Sequence, residues 1–386
     1  MNTYSVIMLG PRGSGKTVFL SSMHQKLSKQ GKRGFFLKFD SAENRKRLIN
    51  TYTALATDEE WPKATDMEEV SEWEFTCCVQ TQTEGLPIYN ACKFVYIDYA
   101  GGRLTEEMGE EDEEFNNKIK AADTMLVLLD GRRLCNLMRK ERDGVIWVIR
   151  DLSNILGVVQ NIRNKPVHFV ISKWDIVEPH YSLQEIRDRL LEIEDFSDLV
   201  RIRNQVGVPV RLIPVSSVGK EFATLQSDGS MAKNLGVEPK PFQLEAPLAC
   251  ILPDKIKIQV RELTKKIIEE KGRNIEVKPE LGFGEVAGQF FGLLGGGVKN
   301  IQQLLPPKYR FDEDVLEDLI EGAERPAKEK VAQAERRTEE LRAKQREYIN
   351  QVNDEKTALD SAISSFLSIK NKLDIDFPES DLGDVR

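Results

Sequence analysis

The first half of the chain alternates short apolar runs with longer segments in which apolar residues recur at helical spacing. This alternation is typical of strands covered by helices, so we predict an α/β fold with a mostly parallel sheet. Six apolar runs are predicted strands, at residues 5–9, 73–79, 93–97, 124–129, 167–171 and 210–215. Five segments are predicted helices, at residues 16–29, 105–121, 143–162, 182–193 and 254–271.

Four stretches depart from this alternation. Residues 31–69 and 218–252 are irregular in pattern and long enough to be functional insertions. Residues 272–310 are rich in glycine, which predicts a linker or an amphipathic segment. Residues 311–386 are highly charged and helix-forming, but their heptad spacing is regular only after Val352. The C-terminal extension is therefore predicted to be a long polar helix or helical hairpin, either solvated or paired with another chain as a coiled coil.

Charge is distributed unevenly along the chain. It has 55 lysine and arginine residues and 63 aspartate and glutamate residues, a formal net charge of −8. Residues 311–386 hold 12 of the basic and 20 of the acidic residues, so the whole surplus lies in the tail. A neutral body argues against a general nucleic-acid binder, and we expect no nucleic-acid partner.

The cysteines and the distribution of apolar residues bear on location. The five cysteines are scattered and show no metal-ligand spacing, which fits free thiols in a reducing compartment. No run of 18 or more uncharged apolar residues occurs, and the first ten residues lack the features of a secretory signal. We therefore expect a cytoplasmic protein.

The sequence GPRGSGKT at residues 10–17 follows the first predicted strand and opens a helix. Glycines at this spacing let a loop curl so that its backbone N–H groups face phosphate oxygens at a helix N-terminus. Lys16 is expected to reach the β and γ phosphates, and Thr17 to offer its hydroxyl to Mg²⁺. The other residues expected to line the phosphates are Gly10, Gly13, Ser14 and Gly15.

A second motif, FVYIDYAGG at residues 94–102, is an apolar strand that ends in an aspartate. Asp98 can hold Mg²⁺ through water, and the Gly101 amide can meet a γ-phosphate and so sense its presence. On its own an aspartate followed by glycine three residues later is more often a turn.

Two further motifs point to a purine base. In SKWD, the stem of Lys173 can lie along a purine face, while Asp175 can accept both the N1–H and the exocyclic amine of guanine. Adenine offers no such pair of donors, so Asp175 predicts a preference for GTP over ATP. One strand later, Ser216 and Ser217 of PVSS place hydroxyls where another loop could touch the base.

These four motifs, each at the carboxyl end of a predicted strand, resemble those of Ras-like GTPases of the TRAFAC class, including divergent bacterial members. The resemblance covers about residues 3–270 and implies a P-loop NTPase three-layer sandwich over residues 1–271. It also implies GTP or GDP as ligand, Mg²⁺ as cofactor, hydrolysis of the β–γ bond and two switch loops. The first switch of that family carries a threonine that binds Mg²⁺. The best match is Thr65, with Thr57 and Thr76 as alternatives.

Three positions depart from the family pattern. Gly102 stands where a water-orienting glutamine is common, so either hydrolysis is slow or another group acts. Arg12 stands where many relatives have glycine, and it either reaches the phosphates, obstructs a partner's arginine finger or points to solvent. Ser172 replaces the commoner asparagine and loses its amide. The nearest groups able to replace the glutamine are Arg103, Glu106 and Glu107.

The leading hypothesis is a GTP-binding switch with a protein effector or activating protein and a helical tail that supports homo-oligomerisation. The alternatives are an ATP-using P-loop enzyme, a nucleotide-bound scaffold with little turnover, and a membrane-remodelling GTPase of dynamin type. Residues 281–300 are either a membrane or partner contact or a packed hinge. The acidic run at residues 106–114 is either a solvated helix face or a docking face for a basic partner.

Overall fold

In the part of the chain described by the structure, a computed structural model, seven strands form one sheet. That part comprises residues 1–62, 71–82, 85–98, 113–226, 231–234, 236–270, 305–321 and 331–383. The strands of the sheet are β1 (Asn2–Leu9), β2 (Phe36–Phe39), β3 (Ser71–Gln80), β4 (Ile88–Asp98), β5 (Thr124–Asp130), β6 (Val167–Ser172) and β7 (Val210–Pro214).

The sheet has the order β2-β3-β4-β1-β5-β6-β7. Strands β4, β1, β5, β6 and β7 run parallel, and β2 and β3 extend the β4 edge in antiparallel pairing. All six predicted strands are present, so the predicted α/β class with a mostly parallel sheet is confirmed. Two further short strands, β8 (Ala223–Leu225) and β9 (Met231–Lys233), form a separate antiparallel hairpin.

Helices lie on both faces of the sheet, as the alternation of elements requires. The helices on and around the sheet are α1 (Lys16–Leu27), α2 (Ala42–Thr57), α3 (Glu113–Ala121), α4 (Gly131–Met138), α5 (Arg142–Trp147), α6 (Ser153–Gln160), α7 (Trp174–Val177), α8 (Leu183–Leu191), α9 (Glu194–Val206) and α10 (Ala246–Glu270). The C-terminal helices are α11 (Glu313–Glu321), α12 (Val331–Gln351) and α13 (Glu355–Asp376).

Strands β5 and β6 are buried at every position and largely apolar, because both of their faces are covered. In β5, Leu126 and Leu128 enter the core shared with α1, α10 and α13, whereas Val127 and Leu129 enter the core shared with α4, α6 and α9. This covering on both faces explains why these strands read as continuous apolar runs rather than as alternating ones.

The predicted insertion at residues 31–69 contains a strand and a long helix, which its irregular sequence pattern did not indicate. Helix α2 begins after Ser41, whose hydroxyl accepts a hydrogen bond from the backbone N–H of Asn44. Only Leu48 and Leu55 of this helix are buried. Two buried positions in 16 residues leave almost no apolar periodicity for a sequence pattern to reveal.

Two other predicted helices differ in detail. Helix α10 begins at Ala246, eight residues before the predicted start at residue 254, and it contains Pro253, which cannot donate a helical hydrogen bond. The residues before it, Leu248 to Leu252, are fully buried, and their burial offsets the lost bond. The predicted helix at residues 143–162 is α5 and α6 joined by a π-helical turn at Val148–Leu152.

The predicted C-terminal helical hairpin is present as α12 and α13, but α13 is buried and is therefore neither solvated nor free to pair with another chain. This helix packs against β3 and β4 and belongs to the core of the sheet. Phe366 contacts Phe35 and Phe94, with ring centroids 4.9 and 6.1 Å apart. The backbone N–H of Leu382 then donates to the carbonyl oxygen of Val210, which fixes the following segment at the β7 edge.

The five cysteines are buried free thiols. Within the described ranges, none of the helices combines the length and apolar character needed to cross a membrane. The segments at residues 281–300 and 106–112, for which two readings each were open, lie outside the described residues.

Candidate nucleotide-binding site

The loop of residues 10–15 connects β1 to α1 at the carboxyl edge of the sheet. Gly13 and Gly15 have φ angles of 82° and 89°, in the left-handed region that favours glycine. The loop closes through a hydrogen bond from the backbone N–H of Ser14 to the carbonyl oxygen of Pro11, 3.2 Å. The sequence GPRGSG is therefore folded as a tight turn that leads directly into the N-terminus of α1, the arrangement that binds anions.

Lys16 is the first residue of α1, and its side chain folds back over the loop. Its Nζ donates to the carbonyl oxygen of Gly10, 2.7 Å away. Burial lowers the pKa of Lys16, and the carboxylate of Asp98 opposes that shift. The lysine is thus held at the mouth of the loop beside an acidic group, where a phosphate would supply further negative charge.

Asp98 ends β4, the strand next to β1, and pairs in register with Met8. Its side chain is buried. Thr17 lies in the first turn of α1, so a carboxylate and a hydroxyl come from neighbouring elements. Oxygen donors of this kind are those that Mg²⁺ prefers, and two protein oxygens suffice when phosphate and water complete the shell. Among the described residues no group of three His, Cys, Asp or Glu side chains forms a metal site of another type.

Lys173 joins the phosphate loop to the predicted base-reading motif. It follows β6 with a φ of 54°, and its Nζ donates to the carbonyl oxygen of Gly13, 3.0 Å, and to Oδ2 of Asp130, 2.7 Å. The lysine stem is consequently stretched across the carboxyl edge of β5. It lies between the loop that would hold phosphates and the residues that would meet a base, and its bond to Gly13 connects the two.

Asp130 is a site residue that was not predicted. Besides its bond to Lys173, its Oδ1 accepts from the backbone N–H of Arg132 and so caps α4 at 2.9 Å. A charge-assisted bond to a partly buried lysine is among the stronger polar contacts of a fold. The signal that could have revealed Asp130 is its place at the end of the apolar run TMLVLLD, which matches the place of Asp98 after its own strand.

Asp175 and Ser216 lie together at the ends of β6 and β7. The Ser216 hydroxyl donates to Oδ1 of Asp175, 2.5 Å away. Its Oγ accepts from the backbone N–H groups of Val218, 3.3 Å, and Gly219, 2.7 Å. Burial raises the pKa of Asp175, and the hydrogen bond from Ser216 opposes that shift. The serine therefore fixes the orientation of the aspartate rather than merely lying near it.

A cavity of about 260 Å³ opens beside Asp175 and Ser216. Trp174, Gly219 and Phe222 also line it. Pockets that hold whole drug-sized ligands measure about 300–1,000 Å³, so this one suits a single part of a ligand, such as a heterocyclic base.

The remaining predicted residues are placed as follows. Ser172 is buried and its hydroxyl donates to the carbonyl oxygen of Leu129, 3.1 Å, so it ties β6 to β5. Arg12 is exposed, and Ser217 is half-buried beside Ser216. Thr65, Gly101 and Gly102 lie outside the described residues.

The two alternatives to Thr65 have ordinary structural partners. The Thr57 hydroxyl donates to the carbonyl oxygen of Thr53, 2.8 Å, within the last turn of α2. The Thr76 hydroxyl donates to Oδ1 of Asp40, 2.9 Å, in the middle of β3. Neither hydroxyl lies in a loop beside the phosphate loop, so Thr65 stays the prediction for a switch threonine.

No protein-family model and no curated protein matches the chain. Among solved structures, the chain is similar to sup35 complexed with GDP, with 12% sequence identity, a TM-score of 0.30 and 56% of the chain covered. It is also similar to the Arl6 BBS3 small GTPase from Trypanosoma brucei with the bound nucleotide analogue GppNp, with 15% identity and a TM-score of 0.28. That match covers 56% of this chain and 88% of the small GTPase. The chain spans just over a third, 37%, of the length of the sup35 chain.

Proposed function

We propose that the chain binds GTP and GDP at this site with Mg²⁺ and hydrolyses GTP at its β–γ bond. The observation that supports this most directly is the position of Lys173, whose Nζ bonds to Gly13 of the phosphate loop while its neighbour Asp175 faces a cavity. One side chain thus connects a phosphate-binding loop to a carboxylate able to read guanine. A glycine-rich turn with no nucleotide would have no need of that connection.

The loop amides and Lys16 bind the phosphates in this proposal. The first-turn N–H groups of α1 attract negative charge, and the buried ammonium of Lys16 adds a full positive charge at the same edge. Thr17 and Asp98 would hold Mg²⁺, which would neutralise charge on the phosphate oxygens. We further propose that Thr65 completes the metal shell and that the Gly101 amide meets the γ-phosphate, which would make both segments sensitive to its loss.

Base selectivity falls to Asp175. A carboxylate can accept two hydrogen bonds, one from the N1–H and one from the exocyclic amine of guanine. The bond from Ser216 to Oδ1 fixes the plane of the Asp175 carboxylate and therefore also the direction of Oδ2. Adenine would face this carboxylate with an acceptor, and a buried acceptor pair without a donor is costly. The site therefore favours GTP over ATP.

Hydrolysis rests on charge stabilisation by Lys16, the loop amides and Mg²⁺, with no general base among these residues. Arg12 is exposed on the phosphate loop and is the one cationic residue besides Lys16 within residues 10–17. Since Gly102 offers no side chain to orient water, we expect slow intrinsic turnover that an activating protein accelerates. A nucleotide-bound scaffold is the second candidate, and Gly102 is the observation that favours it.

Nucleotide identity is the direct test. Purified protein is denatured, and the released nucleotide is identified by chromatography; competition of GTP against ATP then measures preference. We expect GDP or GTP, and equal affinity for ATP would overturn the guanine assignment. Multiple turnover abolished by Lys16→Ala supports hydrolysis, whereas tight binding without turnover supports the scaffold.

Asp175→Asn tests the base-reading role itself. An amide donates where the carboxylate accepted, so preference is expected to shift from guanine toward xanthine nucleotides. The matched control is Asp188→Asn, an exposed aspartate on α8 whose carboxylate accepts from Gln184, 2.7 Å. An unchanged preference in Asp175→Asn would show that another group reads the base.

A further inference from the structure

The two predicted insertions, residues 31–69 and 218–252, are fastened to each other. The second insertion leaves β7, forms the β8–β9 hairpin and returns toward α10. Along the way the hairpin packs against the C-terminal end of α2, which belongs to the first insertion. The side chain that makes this connection is Lys233, the last residue of β9.

The Nζ of Lys233 lies close to four backbone carbonyl oxygens at the end of α2. The distances are 3.1 Å to Ala54, 2.8 Å to Leu55, 2.8 Å to Asp58 and 2.7 Å to Glu60. Carbonyl groups at a helix C-terminus lack intrahelical donors and carry partial negative charge. One ammonium from a distant part of the chain therefore satisfies the end of this helix and the turn after it.

Trp61 forms a second connection at the same place. Its Nε1–H donates to the carbonyl oxygen of Met231, 2.6 Å, on β9. Its ring lies edge-to-face with Phe222, with centroids 6.0 Å apart, and Lys233 Nζ is 5.4 Å from the ring centroid. The indole is thus bonded to the hairpin and packed on the loop that follows β7.

A small apolar core connects these contacts to the candidate site. Leu55, Val218 and Phe222 are buried together, with Val18 and Tyr52 packed against them. Val18 follows Thr17 in α1, and the backbone N–H of Val218 bonds to Ser216. This core therefore touches both the helix that begins at the phosphate loop and the loop that orients Asp175.

The returning chain fixes the other side of that loop. The backbone N–H of Lys240 donates to the carbonyl oxygen of Val218, 2.7 Å, and that of Phe242 donates to the carbonyl oxygen of Ser216, 2.8 Å. Residues 216–222 are thus held between this segment and the Trp61 contacts. A shift of Phe222 would move the Val218 and Gly219 amides that hold the Ser216 hydroxyl.

We propose that Lys233 is a positioning residue for guanine recognition. It fastens the β8–β9 hairpin to α2, and through Trp61 and Phe222 it keeps Ser216 bonded to Asp175 without touching the nucleotide. The inference rests on the proposed function, because it requires that Asp175 read a guanine base. Under this proposal the two insertions act together to hold Ser216 against Asp175, which neither segment could do without its contact to the other.

Lys233→Met tests this by removing the ammonium while keeping the apolar stem. We expect a fluorescent GDP analogue to dissociate at least about fivefold faster in stopped-flow measurements, the effect of losing roughly one net hydrogen bond. The ratio of GDP to IDP affinity is expected to fall in the variant. IDP, inosine diphosphate, differs from GDP only by lacking the exocyclic amine of the base. The affinity ratio therefore reports how well the Asp175 carboxylate is oriented toward that amine, and not the stability of the fold. Lys233→Arg, which retains a cation and its donors, is expected to restore most of the ratio.

The matched control is Lys372→Met, an exposed lysine on α13 whose ammonium pairs with Asp376 at 2.6 Å. It is expected to behave as the wild type. Trp61→Phe, which loses the bond to Met231 but keeps an aromatic ring, provides a second variant should Lys233→Met fail to fold, and it is expected to lower the ratio. If folded Lys233→Met and folded Trp61→Phe both release GDP at rates within twofold of the wild type, with GDP to IDP affinity ratios also within twofold, the inference is overturned. Failure of the wild type to bind GDP at all would instead overturn the proposed function.

Discussion

Replacing Arg211 by methionine removes the centre of a buried ionic network at the amino edge of β7. Arg211 and Asp254 are both fully buried, with Nε–Oδ2 and Nη2–Oδ1 distances of 2.5 and 2.8 Å. Asp254 also lies 2.9 Å from His168 Nε2, and Arg211 Nη1 lies 3.1 Å from Oδ1 of Asp374 on α13. One guanidinium therefore joins β7, α10 and α13.

The size of the effect follows from burial. The neighbouring arginine holds the pKa of Asp254 well below its usual range, although burial alone would raise it. Without Arg211, that carboxylate would be left inside the core with His168 as its neighbour. Breaking a buried ion pair by removing one partner costs about 3–5 kcal/mol, a large share of a total stability of about 5–15 kcal/mol. The melting temperature should fall by about 4–6 °C in a protein of this size.

The assay is urea and thermal denaturation followed by circular dichroism, with GDP held at one concentration because a ligand adds its own stabilisation. The control is Arg201→Met on α9, whose guanidinium bonds to Asp198 at 2.8 Å with both side chains about half exposed. That pair should contribute less than about 1 kcal/mol. The double variant Arg211→Met with Asp254→Leu should recover most of the loss. Equal stability of Arg211→Met and Arg201→Met would refute the view that this network holds α13 to the sheet.

Two further predictions concern the candidate site. Asp130→Ala removes the carboxylate that holds Lys173. GDP affinity measured by equilibrium titration should therefore fall about tenfold, the usual effect of losing one charge-assisted bond. Unchanged affinity would show that the bond to Gly13 is enough to position the lysine. Because burial raises the pKa of Asp175, its carboxylate takes up a proton at a higher pH than an ordinary aspartate. Guanine recognition needs the ionised form, so the GDP to IDP affinity ratio should be constant at high pH and decline as pH falls through that raised pKa. The ratio cancels phosphate titration, and a flat profile in titrations from about pH 8 to pH 4 would contradict the assignment.

The candidate site could be predicted because its residues follow apolar strands. Parallel strands present their carboxyl ends at one edge, so Lys16, Asp98, Asp175 and Ser216 had to converge once β1, β4, β6 and β7 shared a sheet. Asp130 obeys the same rule. It was missed because no motif surrounds it, and only its contact with Lys173 reveals its role.

The helices and strands inside the two insertions could not be predicted, because contacts between distant segments stabilise them. Helix α2 has few buried residues, and its end is satisfied by Lys233, which lies 173 residues beyond Glu60. No local pattern encodes such a pairing. Helix α10 poses the opposite problem, since its local signal, Pro253, indicates a boundary that the burial of the surrounding apolar residues overrides.

The burial of helix α13 was not predicted, because its small polar residues were interpreted as solvent-exposed positions. Ser361, Ser364 and Ser365 are buried, and the Ser365 hydroxyl donates to the carbonyl oxygen of Ser361, 3.0 Å. A serine bonded to its own helix needs no solvent, so the buried face is wider than the stripe of large apolar residues suggests. A broad face fits a sheet, whereas the narrow stripe predicted a coiled coil.

The burial of α13 limits how the C-terminal hairpin can take part in assembly. Pairing α13 with another chain would first require exposing side chains such as Ile363 and Phe366, at about 1.5–3 kcal/mol each, before any new contact formed. It would also uncover β4, where Phe94 packs on Phe366 four residues before Asp98. The strand that presents the proposed magnesium ligand is thus covered by the end of the chain. An oligomer that forms without disturbing the candidate site must use α12 or another surface, because α13 already packs on the sheet that presents the site.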